Sequence, residues 1–149
     1  MRKAIRISVV AAVVVALGAC GHAMMMMHGT GAEKPATSEF GYGPRTSARG
    51  AYVASVRPAE PIRVRRLHRW TLSLADSAGR PVDGAAIEVD GGMPEHGHGL
   101  PTRPRVMSQS AAGDYVVDGM KFNMGGWWEV KFRIASPAGP DSVVFNLDL

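Results

Sequence analysis

Residues 50–149 of this 149-residue chain are predicted to form an all-β domain. Apolar and polar residues alternate with a period of two in residues 70–74, 85–89 and 128–134. Clusters of Gly and Pro separate these segments, and no helical period follows the first 19 residues. About seven short strands in about 100 residues indicate an immunoglobulin-like antiparallel β-sandwich, with a small closed barrel as the alternative.

The remaining strands and the core are predicted from the same alternation. Turn signals lie at residues 77–81, 112–114 and 136–140. A domain of this size can bury a core without disulfides, and the chain has one cysteine. Further candidate strands cover residues 51–57, 104–109, 114–118 and 142–149. The leading core candidates are Trp70, Trp128, Phe132 and Phe145.

Residues 1–19 have the composition of a lipoprotein signal peptide. A basic segment precedes an apolar run over residues 7–19, which is as long as a signal core and short for a bilayer span. The run ends in Leu17-Gly18-Ala19-Cys20, which resembles the lipobox of bacterial lipoproteins. We therefore expect export, lipidation of Cys20 and anchoring to a bacterial membrane facing the periplasm. By resemblance to lipoprotein sorting rules, Gly21 after the cysteine slightly favours the outer membrane. Cleavage by an ordinary signal peptidase is the alternative.

Residues 20–49 are predicted to be a flexible tether rich in Met, Gly and Ala, because they lack an apolar period. Thioether and imidazole groups suit copper, so one run in this tether is a candidate auxiliary metal site. The alternative is that the run packs against the membrane or the domain, or is only tolerated. The run consists of His22, Met24, Met25, Met26, Met27 and His28.

The charge distribution argues against nucleic acid as a partner. The chain has 17 basic and 13 acidic residues. Loss of Arg2, Lys3 and Arg6 with the signal would leave 14 basic residues, a net charge near +1. The remaining basic cluster is expected to be a solvated face or a surface that orients the domain beside acidic lipid. It comprises Arg63, Arg65, Arg66 and Arg69, with Arg103 and Arg105 later in the chain.

Residues 93–99 form a candidate metal-binding loop. If residues 96–98 are extended, His96 and His98 project to the same side. Because side-chain direction repeats every two residues, Met120 and Met124 also project to one side of their segment. Two imidazole nitrogens with two thioether sulfurs suit Cu(I). Met93 is a further thioether, and Glu95 is a candidate to orient an imidazole. The competing interpretation is that the histidines bond nearby carbonyls and the methionines pack against tryptophan.

His68, which lies in the approach to a predicted strand, is interpreted separately as a surface or capping residue and not as a ligand.

These residues carry a resemblance to a known family. The runs PVDGAAIEVDGGMPEHGHGLPTRPRV, GDYVVDGMKFNMGGWWEVKFRI and DSVVFNLDL resemble the YtkA-like domain, a group similar to FixH-type proteins. Met93, Pro94, His96, His98 and Gly99 match its Met-Pro-x-His-x-His-Gly loop. Met124, Gly126 and Trp128 match its Met-Gly-x-Trp strand, although Gly and Trp are doubled here. The resemblance covers roughly residues 50–149 and implies an exported immunoglobulin-like sandwich. Similarity to copper-handling sandwiches of the CopC kind implies copper.

Three functions follow as hypotheses. The first is a membrane-anchored copper-binding or copper-delivery domain, which would transfer a copper ion to a receiving protein without catalysis. The second is a non-catalytic interaction or assembly module of an envelope complex, with a structural loop. An enzyme is the weakest hypothesis, because no serine elbow, phosphate-binding loop or nucleophile with a base is evident. We therefore expect a chain that is not an enzyme.

Overall fold

The structure, a computed structural model, describes residues 32–149. The predicted signal peptide, the lipidation site Cys20 and the run from His22 to His28 lie outside these residues. Within residues 32–149, no helix has the length and apolar character needed to cross a bilayer.

The regular elements of the described chain are nearly all strands. A single 3-10 turn, Thr37–Glu39, precedes them. The strands are β1 (Arg45–Thr46), β2 (Tyr52–Pro58), β3 (Leu67–Asp76), β4 (Ala86–Met93), β5 (His98–Gly99), β6 (Arg105–Ala111), β7 (Asp114–Lys121), β8 (Trp127–Ser136) and β9 (Gly139–Asp148).

The strands form one antiparallel sheet that folds over on itself. Its order is β1-β2-β3-β7-β6-β4-β8-β9, with β5 added to β4. A single residue pair, Glu88 with Arg105, joins β6 to β4, so the sheet divides there into two layers. At the other side, Phe40 pairs with Asn146 and the amide of Ala48 bonds to Ser142, which nearly closes the sheet. The fold is thus the expected β-sandwich, with the nearly closed outline of a barrel.

The core lies between the two layers. The four aromatic residues expected in it, Trp70, Trp128, Phe132 and Phe145, are each 0% exposed. The Phe132 and Phe145 rings meet edge to face with centroids 5.9 Å apart. Alternation in β3 and β8 therefore predicted the buried face correctly, because side chains of a strand point to opposite faces in turn.

The predicted tether is too long at its C-terminal end. Residues 40–49 lie against β2 and β9 instead of being free, and they include β1. Ser47 is 4% exposed, and Gly41 donates its amide to the carbonyl of Asn146 at 2.9 Å. Short polar segments with few apolar residues do not show a strand period, so this edge of the domain was not evident in the sequence.

A bulge in β7 changes which residues face the core. His68 pairs with Met120, but Trp70 pairs with Val117, so Asp118 and Gly119 oppose one residue of β3. Gly119 has φ +87°, a conformation that glycine adopts without a steric penalty. The strand predicted at residues 114–118 therefore continues to Lys121. Odd-numbered residues face the core before the bulge, and Met120 faces it after the bulge.

Three loops lie at one end of the sandwich. Strand β3 begins where β7 ends, through Leu67 and Lys121. Strand β4 ends where β8 begins, through Gly92 and Glu129. The loops over residues 59–66, 94–97 and 122–126 therefore lie together, and we call this the hairpin end.

Candidate functional site

The candidate loop is a tight β-hairpin between β4 and β5. Met93 pairs with His98, and the carbonyl of Met93 accepts the amides of His96 and Gly97 at 3.0 and 2.9 Å. Pro94 occupies the second position of this turn, where its fixed φ is favourable. Gly97 has φ +67°, which a residue with a Cβ adopts at a cost. The expectation that residues 96–98 are extended is therefore wrong.

The turn nevertheless brings the two imidazoles together. The rings of His96 and His98 are stacked, with centroids 5.6 Å apart and planes 16° from parallel. Both side chains are exposed. Rotation about their side-chain bonds can aim ring nitrogens at one ion, because no burial restrains either ring.

The methionines separate into buried and exposed sets. Met93 and Met120 are 1% and 0% exposed and belong to the hydrophobic core, whereas Met124 is 41% exposed. Met120 and Phe122 point inward together, but Met124 does not continue that face. An ion arriving from solvent can reach the thioether of Met124 directly, and those of Met93 and Met120 only after repacking.

The two glycines before Trp127 explain how the segments meet. A Cβ on Gly125 would lie 2.6 Å from the carbonyl oxygen of Leu149, and one on Gly126 would lie 3.1 Å from the Met93 methyl. The chain can therefore pass between Leu149 and Met93 only because both of these positions are glycine. The loop over residues 93–99 and the segment over residues 120–126 meet at the hairpin end.

The doubled tryptophan has a defined register. Trp128 faces the core, stacks edge to face on Phe122 and donates its indole N–H to the carbonyl of Met124 at 3.0 Å. Trp127 lies on the opposite face, is 1% exposed and donates to Oδ1 of Asn146 at 3.0 Å. Trp128 thus fixes the backbone of Met124, two residues before the glycine that lies against Met93.

His68 and Glu95 occupy different environments. His68 is 8% exposed, so it is a buried residue and not the surface residue that was expected. Its Nε2 lies 2.8 Å from the carbonyl oxygen and 3.2 Å from the amide nitrogen of Arg63. Glu95 is exposed in the turn, and within the described residues it forms no hydrogen bond with His96 or His98.

A groove beside His98 adds groups that the sequence did not single out. It has a volume of about 440 Å³ and includes Asp90, Glu129 and Lys131 over a floor of glycine backbone. Asp90 is paired with Arg133 at 3.5 Å. The sequence could not assign Glu129 to this groove, because 30 residues separate it from Gly99 in the chain. The pairing of β4 with β8 brings the two together.

The arrangement suits partial coordination of a soft or borderline ion. Two exposed imidazoles and one exposed thioether match the ligands of copper. In residues 32–149, no three His, Cys, Asp or Glu side chains are grouped as a metal site. Two imidazoles and one thioether would supply at most three donor atoms to one ion.

Comparisons with known proteins address the family. No curated protein matches this chain. A solved structure, the ZirS C-terminal domain, aligns with 93% of this chain and 97% of that chain at 15% identity and a TM-score of 0.40. The profile of the YtkA-like family matches residues 48–133, more than half of the chain and including the histidine hairpin. The chain therefore belongs to the YtkA-like family.

Proposed function

We propose that this protein is an exported, membrane-anchored domain that binds copper and delivers it to a receiving protein. The observation that carries the proposal is the stacked pair of exposed imidazoles, His96 and His98, on one tight hairpin. Imidazole binds both copper oxidation states, and a thioether favours Cu(I). Of the three candidate thioethers Met93, Met120 and Met124, only Met124 is exposed to solvent.

An incomplete ligand set favours transfer over storage. Two imidazoles and a thioether leave Cu(I) exposed on at least one side, where ligands of a receiving protein can bind before the donor ligands leave. Met93 and Met120 are buried in the hydrophobic core and are reserve thioethers. The hairpin lies at one end of the sandwich, so a partner protein can contact it without contacting the faces of the two sheets.

Copper titration tests the proposal. The full chain is titrated with Cu(I) and Cu(II) against a competing chelator, beside a His96→Ala/His98→Ala variant. We expect the double variant to raise Kd by more than roughly a hundredfold, since even outer partners of metal ligands are typically worth ten- to a hundredfold. Binding should weaken in acid, because ligating imidazoles must be neutral. Equal affinities of the parent and the double variant would remove the proposal.

Two further variants identify the sulfur ligand. Met124→Leu is expected to weaken Cu(I) binding and to spare Cu(II), because a thioether is a soft ligand. Met107→Leu is the matched control, since Met107 is 65% exposed on β6, away from the hairpin end. Both titrations use a chain with the methionines of residues 24–27 replaced by leucine and His22 and His28 by glutamine, which removes the candidate auxiliary site. Equal Cu(I) affinities of the Met124 and Met107 variants would exclude Met124 as a ligand.

The assembly hypothesis predicts a different result from the same variants. A module that binds an envelope protein through the hairpin end would retain capture of that protein in the His96→Ala/His98→Ala variant, provided that the variant is folded. An exposed Trp127 would have favoured this hypothesis, and Trp127 is 1% exposed. Pull-down from solubilised membranes, with and without copper chelation, separates capture from metal binding.

A further inference from the structure

A short basic loop at the hairpin end exposes apolar side chains. We call residues 62–67 the arginine loop. Arg63, Arg65 and Arg66 are all exposed. Between and beside them, Val64 is 42% exposed and Leu67 is 68% exposed, the largest value among the exposed large hydrophobic residues of the described chain. Arginine beside exposed aliphatic groups is the composition of a surface that meets a lipid interface.

The positive charge of this loop is not neutralised locally. Among the described residues, no carboxylate forms an ion pair with Arg63, Arg65 or Arg66. Arg69 on β3 is different, since its guanidinium lies 3.0 Å from Asp118. Glu60 is the one acidic residue in the preceding segment. The arginine loop therefore presents unbalanced positive charge to its surroundings.

The loop is held in one conformation. Arg65 has φ +66°, the only positive value for a non-glycine residue among residues 32–149. Its amide donates to the carbonyl of Phe122 at 2.6 Å. The buried ring of His68 bonds to the backbone of Arg63, and Ile62 packs against the core. A conformation that costs free energy is thus retained by contacts on both sides of the exposed residues.

The start of the described chain lies at the same end. Lys34 approaches Asp148 at 3.8 Å, and Asn146 donates to the carbonyl of Glu39 at 3.4 Å. These residues adjoin the end of β9, which lies beside Trp127 at the hairpin end. The polypeptide therefore enters the domain at the end that carries the arginine loop. If residues before residue 32 attach the chain to a membrane, this end of the domain is the one that faces the membrane.

We propose that the arginine loop docks on the surface of an acidic phospholipid bilayer. The guanidinium groups of Arg63, Arg65 and Arg66 bind lipid phosphates, and Val64 and Leu67 enter the headgroup region. Docking holds the hairpin end, with His96 and His98, against the membrane. The proposal is independent of copper, because none of the docking residues is a candidate metal ligand.

Hydrogen exchange of the full chain in vesicles tests this docking. The protein is reconstituted in phosphatidylcholine vesicles and in vesicles of phosphatidylcholine with an equal amount of phosphatidylglycerol. Amides of residues 59–67 are expected to exchange more slowly in the acidic vesicles. Each basic side chain near an acidic surface raises partition by roughly fivefold, so Arg63→Gln/Arg65→Gln/Arg66→Gln should reduce the docked-to-undocked ratio on the order of a hundredfold. High salt should have the same effect on the parent chain.

A charge-matched variant separates a local surface from net charge. Arg49→Gln/Arg80→Gln/Arg133→Gln removes the same charge outside the arginine loop and should retain slow exchange in acidic vesicles. Leu67→Ser should reduce protection while leaving the charge unchanged. Equal exchange of residues 59–67 in both vesicle types would overturn the proposal. A loss of protection that is equal in the two triple variants would also overturn it, because net charge alone would then explain the binding.

Discussion

At the scale of single residues, Asp141 holds the segment between β1 and β2 against β9. Its side chain is 1% exposed. It accepts hydrogen bonds from the Ser47 hydroxyl at 2.6 Å and from the amide of Ser142 at 2.7 Å. The amides of Arg49 and Ala51 complete the set. This carboxylate therefore fixes the turn that leads into β2.

The pKa of Asp141 makes this contact sensitive to acid. Burial raises the pKa, but the hydrogen bonds from Ser47, Ser142, Ala51 and Arg49 outweigh it and lower the pKa from 3.8 to about 2. A folded-state pKa below the unfolded value stabilises the fold at higher pH, and this contribution is lost as pH falls from 3.8 to about 2. We expect Asp141→Asn to be less stable than the parent near neutral pH and to lose less stability through that interval.

Urea unfolding as a function of pH measures the effect. Asp90→Asn is the control, because the Asp90 side chain is 60% exposed and makes a surface ion pair with Arg133 and one local hydrogen bond with the amide of Gly91. It should follow the parent chain closely. If Asp141→Asn and the parent lose stability equally below pH 4, Asp141 is not the group responsible.

The same scale shows what could be predicted of the site. Residue type identified His96 and His98 as ligand candidates, and the structure places them side by side. Residue type cannot show that Met93 and Met120 are buried while Met124 is 41% exposed. Methionine is both a core residue and a soft ligand. Only the position of the side chain in the fold distinguishes these two uses.

At the scale of elements, the hairpin between β4 and β5 depends on glycines for two different reasons. Gly97 needs the left-handed conformation, but nothing lies within 4 Å of a Cβ placed on it. Gly91 has an ordinary strand conformation, but a Cβ there would lie 2.5 Å from the carbonyl oxygen of Glu129. One glycine is required by the backbone and the other by the packing of β4 on β8.

This difference predicts an order of stability. Gly97→Ala is expected to cost about 1 kcal/mol, because only the left-handed conformation is penalised. Gly97→Asn should cost less, since asparagine adopts that conformation more readily. Gly91→Ala should cost more than Gly97→Ala, toward about 3 kcal/mol, because β4 must move away from β8. Urea unfolding of the three variants gives the order directly, and a Gly97→Ala variant less stable than Gly91→Ala would contradict it.

Elements also differed in how well the sequence predicted them. Strands β3 and β8 were found with their buried faces, since strict alternation leaves one phase for each strand. The extension of β7 was missed because the bulge at Asp118 and Gly119 breaks the period of two. The short β1 was missed because its order depends on hydrogen bonds with β2 and on neighbours from β9. Local patterns reveal regular strands, whereas irregular and edge segments are determined by distant contacts.

At the scale of the whole molecule, the two layers are joined unequally along the sheet. Strand β8 is paired on both sides, with β4 and with β9. Strand β6 pairs with β7 but meets β4 only through Arg105 and Glu88. A groove of about 560 Å³ lies between β4 and β6. Register shifts in the pairing of β6 with β7 make β6 irregular, a feature that discourages pairing of an edge strand with other chains.

We therefore expect the sandwich to open at β6 before it unfolds as a whole. Amides of β8 should exchange only through global unfolding, while amides of β6 should exchange through local opening. Phe132→Ala, which removes a core ring that is 0% exposed, is expected to cost about 3–5 kcal/mol. It should accelerate exchange in β8 by at least about a hundredfold and change exchange in β6 much less. Equal acceleration in β6 and β8 would show that the two layers unfold as one cooperative unit, with no separate opening between β4 and β6.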